Sequence, residues 1–227
     1  MTIVRIALAA LAICLLPSAA QADQNIPDQY PASLLYSKPV EVIPHVWTSI
    51  GATAPPTYDN AGHNNNLSFL VTGDGVIVIN GGGSYGLAEA LHTEIKMVTE
   101  QPVKLVINEN GQGHAALGNC YWAEQGVKIL AHEDAAEEFT TSGHQILEAA
   151  QRRLKDRADK TCVKEPDETF SDRKDVSLGS MKIEVLYLGP AHSAGDTQVW
   201  LPEEKLVIAG DMAFHERLLP IFDETDT

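Results

Sequence analysis

The sequence predicts an α/β protein of the sandwich type, on three observations. Strands come first, with a hairpin among them; helix and strand then alternate; two β-rich stretches close the order. A purely parallel doubly wound sheet would alternate throughout, so this order favours two sheets packed face to face with helices outside them.

Each element has its own reason. Residues 1–22 carry Arg5, an apolar run from Ile6 to Leu16, Pro17 and small residues up to Ala20-Gln21-Ala22, the pattern of a secretory leader cut after Ala22. The run is short of the roughly 20 residues that span a bilayer, and Cys14 lies inside it, an unfavourable place for lipid attachment. The mature protein is therefore expected in the periplasm or outside the cell. Residues 23–41 are polar and proline-bearing and read as a lead-in arm, and residues 42–227 as one domain.

Within the domain, "HVWTSI" has strand character. "LSFLVTGDGVIVIN" reads as a hairpin, Leu67–Thr72 and Val76–Asn80, turned at Gly73-Asp74-Gly75. A helix over 85–99 places Leu87, Leu91, Ile95 and Val98 on one face, with Glu89, His92 and Lys96 expected outside. "VKLVIN" is the short apolar strand of a sheet covered on both faces. A helix over 115–125, the strand "VKILAH" and a long amphipathic helix over 133–158, with Gly143 as a candidate break, follow. "DVSLGSMKIEVLYLG" and "TQVWLPEEKLVIAGD" supply the last strands.

Thirty-one acidic against sixteen basic residues leave a net charge of −15. That balance argues against nucleic acid and against an anionic membrane surface, which would repel the chain, and leaves a small molecule as the expected substrate. With the leader removed, Cys120 and Cys162 remain, in a compartment where disulfides persist. A bridge between them is expected, worth roughly 4 kcal/mol by loop closure. The alternative is that Cys120, beside Tyr121 and Trp122, is a small buried apolar residue.

Two late motifs carry the most specific signal. "GPAHSAGDTQVWLPEEKLVIAGDMAF" contains a Gly-rich turn with His192 and a strand pair ending in Gly210-Asp211. It resembles the metallo-β-lactamase superfamily, in which the corresponding His and Asp hold metal. "FLVTGDGVIVINGGGS" is similar to that family's opening hairpin and first helix, and the likeness runs from about Val42 to Thr227. It implies an αββα sandwich. The family's last His lies further downstream, in a Gly-His-Gly turn, and the chain stops at "LLPIFDETDT", so the C-terminal part of the domain is expected to be missing.

The sequence leaves the family pattern at "VINENGQGHAALGN". The family's loop reads His-x-His-x-Asp-His between Asn-Thr and Gly-Asn. Aligned without a gap, it puts Asn110 and Gln112 at the first two histidines, His114 at the Asp and Ala115 at the last His. A one-residue gap puts His114 on the last His, with Glu109, Gly111 and Gly113 before it. The ungapped version fits both flanks. The hairpin's usual Asp-x-Gly has likewise become Asn80-Gly81-Gly82. Asn and Gln offer neutral carbonyl oxygens, poor ligands for zinc beside imidazole or carboxylate, so the family's pair of zinc ions is not expected here. The metal set that remains is His114, His192 and Asp211, with Gln112 and Asn110 near it: one divalent transition metal, zinc first and iron second.

Asp211 and Glu109 are the expected catalytic carboxylates. His63, in "GHNNNLSF", and His215, just past Asp211, are the candidate substrate contacts, against the plainer reading of a solvated loop and a surface His. His45, His92, His132 and His144 read as structural or surface residues. Three functions remain, in order: a single-metal hydrolase attacking an ester, thioester or lactam carbonyl; a metal-poor binding protein on the same fold; and a dinucleotide-binding oxidoreductase. The last rests on Gly81, Gly83 and Gly86, which spell G-x-G-x-x-G.

Overall fold

The computed structural model describes residue 30 and residues 32–216; the leader, residues 23–29 and 31 of the arm, and residues 217–227, which include "LLPIFDETDT", lie outside the described residues. The chain enters as β1 (Val40–Ile43) and β2 (Val46–Ser49), then forms the expected hairpin of β3 (Leu67–Val71) and β4 (Val76–Ile79). These four pair antiparallel in sequence order. The hairpin turn is fastened by Gln101, whose side-chain oxygen accepts from the backbone N–H groups of Gly73 and Gly75. β5 (Val103–Ile107), β6 (Lys128–His132) and β7 (Glu168–Phe170) continue the sheet in parallel, making seven strands in the order β1 to β7. The closing segment builds a second, antiparallel sheet of β8 (Arg173–Leu178), β9 (Met181–Leu186), β10 (Gln198–Leu201) and β11 (Leu206–Ile208), ordered β11-β10-β9-β8.

The apolar alternation of these strands has a direct consequence in packing. Leu70, Ile77, Ile79, Ile107 and Leu130 of the large sheet face Ile183, Val185, Val199 and Leu201 of the small one, all buried. The other face of the large sheet presents Leu67, Phe69, Val76, Val78 and Val106 to helix α1 (Tyr85–Val98) and to Tyr121 and Trp122. Three of the four layers of an αββα sandwich thus lie within the described residues: helices, large sheet, small sheet. Burying an apolar side chain of this kind contributes roughly 1.5–3 kcal/mol, which is why the two apolar strips set the register so firmly.

Several elements differ from expectation for local reasons. The helix expected over 115–125 is two, α2 (Gly113–Ala116) and α3 (Asn119–Glu124). They part at Gly118, whose N–H donates to Gly82 O and whose Cβ, if it had one, would lie 2.0 Å from Gly81 O. The close approach of these two turns requires glycine at 118. The long helix α4 (Glu133–Leu154) is not broken at Gly143; there the helix passes against Val163, where a Cβ would meet a methyl at 2.9 Å. His92 is buried, not exposed, with Nδ1 2.7 Å from the Tyr121 hydroxyl. β1 starts two residues before the expected domain boundary, and Leu35, from the segment read as an arm, is fully buried in the core. Cys120 and Cys162 form a disulfide, with Cα atoms 5.9 Å apart. No helix among the described residues is long and apolar enough to cross a membrane.

Candidate metal centre

The parallel strand β5 and the hairpin strand β4 end side by side, and the site grows from their C-terminal ends. Asn80, in the left-handed region at φ 69°, accepts the N–H of Glu109 with its side-chain oxygen at 3.1 Å. The Glu109 carbonyl takes two donors from Thr197, the N–H at 2.8 Å and the hydroxyl at 3.0 Å. Glu109 is thereby locked by its backbone to both sheets, and its side chain is buried beneath the loop 108–116.

From that position the Glu109 carboxylate meets two other groups. His114, in α2, brings Nε2 within 3.2 Å of Glu109 Oε1 and 3.3 Å of Asp211 Oδ2. Ligand atoms of Glu109, His114 and Asp211 all lie within 4.8 Å of one another. His192 borders the same point, its Nε2 3.7 Å from Asp211 Oδ2. Asp211 sits in a short 3-10 turn, Gly210–Met212, after β11. Gly210 has φ 57°, and a Cβ there would lie 1.6 Å from Glu109 Oε2, so only glycine admits the carboxylate.

The electrostatics are those of a cation site. Burial pushes the Glu109 carboxyl above its ordinary pKa; the hydrogen bond with His114 opposes that rise and the Asp211 charge adds to it. Glu109 Oε2 is buried with no hydrogen-bond partner among the described residues. Two carboxylates on one imidazole, one of them with an orphaned buried oxygen, cost free energy unless a positive charge lies between them. The donor set fits a divalent transition ion: nitrogen from His114 with His192 beside it, oxygen from Glu109 and Asp211.

Asn110 and Gln112 have other work. The Asn110 side-chain oxygen accepts the Gln112 N–H at 3.0 Å, while its nitrogen donates to Asp196 Oδ1 at 3.1 Å and to Asp211 Oδ2 at 3.3 Å. An amide nitrogen has no lone pair to give a metal, so the side chain supports the cluster instead of coordinating. Gln112 lines a cavity of about 320 Å³ beside the cluster, together with His114, His192 and Asp211. His63 does not reach that cavity: it is fully buried, Nδ1 accepting the Tyr36 N–H at 2.8 Å, and its neighbours Gly62 and Asn64 form the wall. His215 is 92% exposed, 3.4 Å from Glu216, and borders a second cavity on the far side of Asp211.

Sequence reasoning passed over Asp196, although it stands in the quoted "AHSAGD". Buried at 1% exposure, it accepts from Ser193 N, Ser193 Oγ and Asn110, and so ties the His192 turn to the loop after β5. The nucleotide-binding alternative fails on geometry. Gly81 abuts Asn119 and Ala115 O, Gly86 abuts Leu34, and the first amides of α1 are already taken: Tyr85 N by Thr161 Oγ1 and Leu87 N by Ser84.

Residues 117–224 match the family described as the metallo-beta-lactamase superfamily. Over that segment, which takes in the closing strands, the chain is similar to that superfamily. Solved structures agree on the fold. A metallo-beta-lactamase from Pontibacter korlensis is 21% identical with a TM-score of 0.66, over 83% of this chain and 78% of its own. DIM-1 metallo-beta-lactamase is 13% identical with a TM-score of 0.63, over 83% and 76%. Metallo-beta-lactamase IND-7 is 18% identical with a TM-score of 0.60, over 80% and 73%. The metallo-beta-lactamase match takes in His192 and Asp211 but begins at Leu117, just beyond the altered loop. Glu109 and His114, which this chain places in the cluster, lie outside the matched segment.

Proposed function

We propose that the protein is a single-metal hydrolase of the metallo-beta-lactamase fold, exported to the periplasm or beyond, in which Glu109, His114 and Asp211, with His192 beside them, hold one divalent ion, zinc in preference to iron. The observation that carries this reading is the convergence of two carboxylates on His114 Nε2, at 3.2 and 3.3 Å, around a buried oxygen with no partner. A divalent ion there would lower the pKa of a bound water to about 7 and polarise a carbonyl oxygen.

The chain's own residues supply the rest. Asp211 opens onto the cavity and is the group placed to take the proton from an attacking water, then return it to the leaving oxygen, sulfur or nitrogen as the carbonyl bond breaks. Glu109, the more buried of the two at 3% exposure, borders the second cavity and is the other carboxylate placed to hold charge or pass a proton at the cluster. Gln112 and Asn64 line the cavity as neutral donors for a substrate carbonyl. Asn110 and Asp196 fix Asp211 and the His192 turn in register.

The test is elemental analysis of the purified chain together with hydrolysis of an aryl ester, a thioester and a lactam before and after chelation. Close to one transition-metal ion per chain is expected, with activity lost on chelation and restored by zinc. His114→Ala and Asp211→Asn should each lose the ion. Two ions per chain would overturn the single-metal assignment, and none after zinc or iron is supplied would favour a metal-free binding protein.

A further inference from the structure

We propose that the cavity beside the cluster takes a small organic anion with an apolar body, its anionic group paired with Arg153. The proposal relies on the hydrolase reading for the chemistry at the cluster, and on the cavity alone for binding. At about 320 Å³ the cavity lies within the roughly 300–1,000 Å³ of small-molecule sites. Its lining is polarised. It combines His114, His192 and Asp211 with an apolar set, Leu117, Ile146, Ala150 and Leu154, and with Arg153; Ile146, Ala150 and Leu154 follow one another along α4, and Arg153 lies in that helix's last turn.

The arginines near this wall have distinct situations. Arg152 pairs with Glu148 at 3.7 Å. Arg157, in the 3-10 turn Lys155–Ala158 after α4, donates to the carbonyls of Tyr58 and Asp59 and lies over the Tyr58 ring at 4.2 Å, which pins the segment carrying Pro56, Gly62 and Asn64 to that turn. Arg153 has no carboxylate within ion-pair distance among the described residues, in a chain where acids outnumber bases thirty-one to sixteen. A guanidinium left over beside a cavity is a carboxylate or phosphate receptor in waiting.

Charge also dictates orientation. In the metal-free chain Glu109 and Asp211 repel an anion from the cluster, so the anionic group goes to Arg153 and the apolar body lies along Ile146, Ala150 and Leu154. The remaining end of the ligand, carrying the bond to be cleaved, then faces Asp211 and His114. The wall is preformed, since Gly62, at φ 73°, packs directly on Leu154, where a Cβ would meet Cδ1 at 3.1 Å. Little ordering free energy is spent on binding.

Calorimetric titration of the full chain with 4-phenylbutyrate and with the neutral 4-phenylbutyramide, in chelated and zinc-supplied protein, tests this. The carboxylate should bind at least about tenfold more tightly than the amide in the chelated protein, Arg153→Gln should bring the two within about twofold, and Arg153→Lys should keep part of the preference. Arg153 is exposed, so these variants should melt like the parent. Equal binding of the two probes, no binding of either, or a preference that survives Arg153→Gln each overturns the proposal. Zinc content is measured on the same samples; a chain that prefers the anion yet takes up no metal sinks the hydrolase reading alone.

Discussion

The side-chain nitrogen of Asn110 lies 3.3 Å from Asp211 Oδ2, so the amide in the loop after β5 donates to a carboxylate of the candidate metal cluster. The same nitrogen reaches Asp196 at 3.1 Å. Asn110→Ala should therefore leave the buried Asp196 and the partly buried Asp211 each short of a donor and lower unfolding free energy by about 1–3 kcal/mol. Urea unfolding of metal-free protein measures this. A change smaller than a few tenths would show that the two bonds contribute nothing net.

Restoring histidines at 110 and 112 probes the loop from the opposite direction. Asn110 touches Asp211 and Gln112 lines the cavity, so imidazoles at both positions can reach the cluster. Asn110→His with Gln112→His should raise zinc affinity by orders of magnitude, because neutral amides give way to good ligands. The melting temperature should rise with added zinc by linkage. Isothermal titration showing parental zinc affinity in a folded double variant would mean that a side chain at 112 turns away from the centre.

His63 gives the fold a defined acid sensitivity. Burial lowers its pKa from 6.5 to about 4. The unfolded chain therefore binds a proton near pH 6.5 that the folded chain refuses until about pH 4. The stability His63 contributes is full above pH 6.5 and falls as pH drops through that window, by at most roughly 3 kcal/mol. His92, also lowered to about 4 by burial and by Lys96, acts with the same sign. His63→Asn keeps an acceptor for the Tyr36 N–H and cannot titrate, so its unfolding free energy should fall less steeply than the parent's between pH 6.5 and 4. Parallel curves would exclude His63 as a source.

The Cys120–Cys162 bridge spans 42 residues and joins α3 to the segment after the long helix. Reduction, or replacement of both cysteines by alanine, should cost roughly 4 kcal/mol in the chain-entropy account. Thiol titration of the denatured, unreduced mature chain should detect no free thiol, and thermal melts with and without reductant should separate by several degrees. Coincident melts would assign the bridge no stabilising role.

The fold could be read from the sequence because its signals are periodic and local: apolar alternation in β3, β9 and β10, an amphipathic α1, glycine at the hairpin turn. His192 and Asp211 could be read because they sit in a motif of fixed spacing. Glu109 and His114 were visible as residues, but their meeting was not, since it depends on α2 turning His114 back over the end of β5. Asn110 looked like a weak ligand because a sequence shows which amide is present, not which of its two ends faces the carboxylates. Arg153 was hidden among the surface arginines of α4. The pattern Ile146, Ala150, Leu154, one residue per helical turn on the side facing the loop, was the available clue to that cavity. His63 misled because a polar loop sequence gave no hint that its imidazole would be sealed beneath the Tyr36 backbone.

The contact of Gly118 with Gly81 bears on how this scaffold could be engineered. The two turns leave no gap between them, and Asn108 and Asn119 stitch the same junction, the Asn119 nitrogen giving a bond to Asn108 Oδ1 at 2.9 Å. A loop transplanted from a zinc-binding relative across residues 108–119 alone would meet a foreign surface at Gly81. The transferable module is therefore bipartite, residues 80–84 together with 108–119, and chimaeras that exchange both halves at once should fold where single-segment exchanges fail.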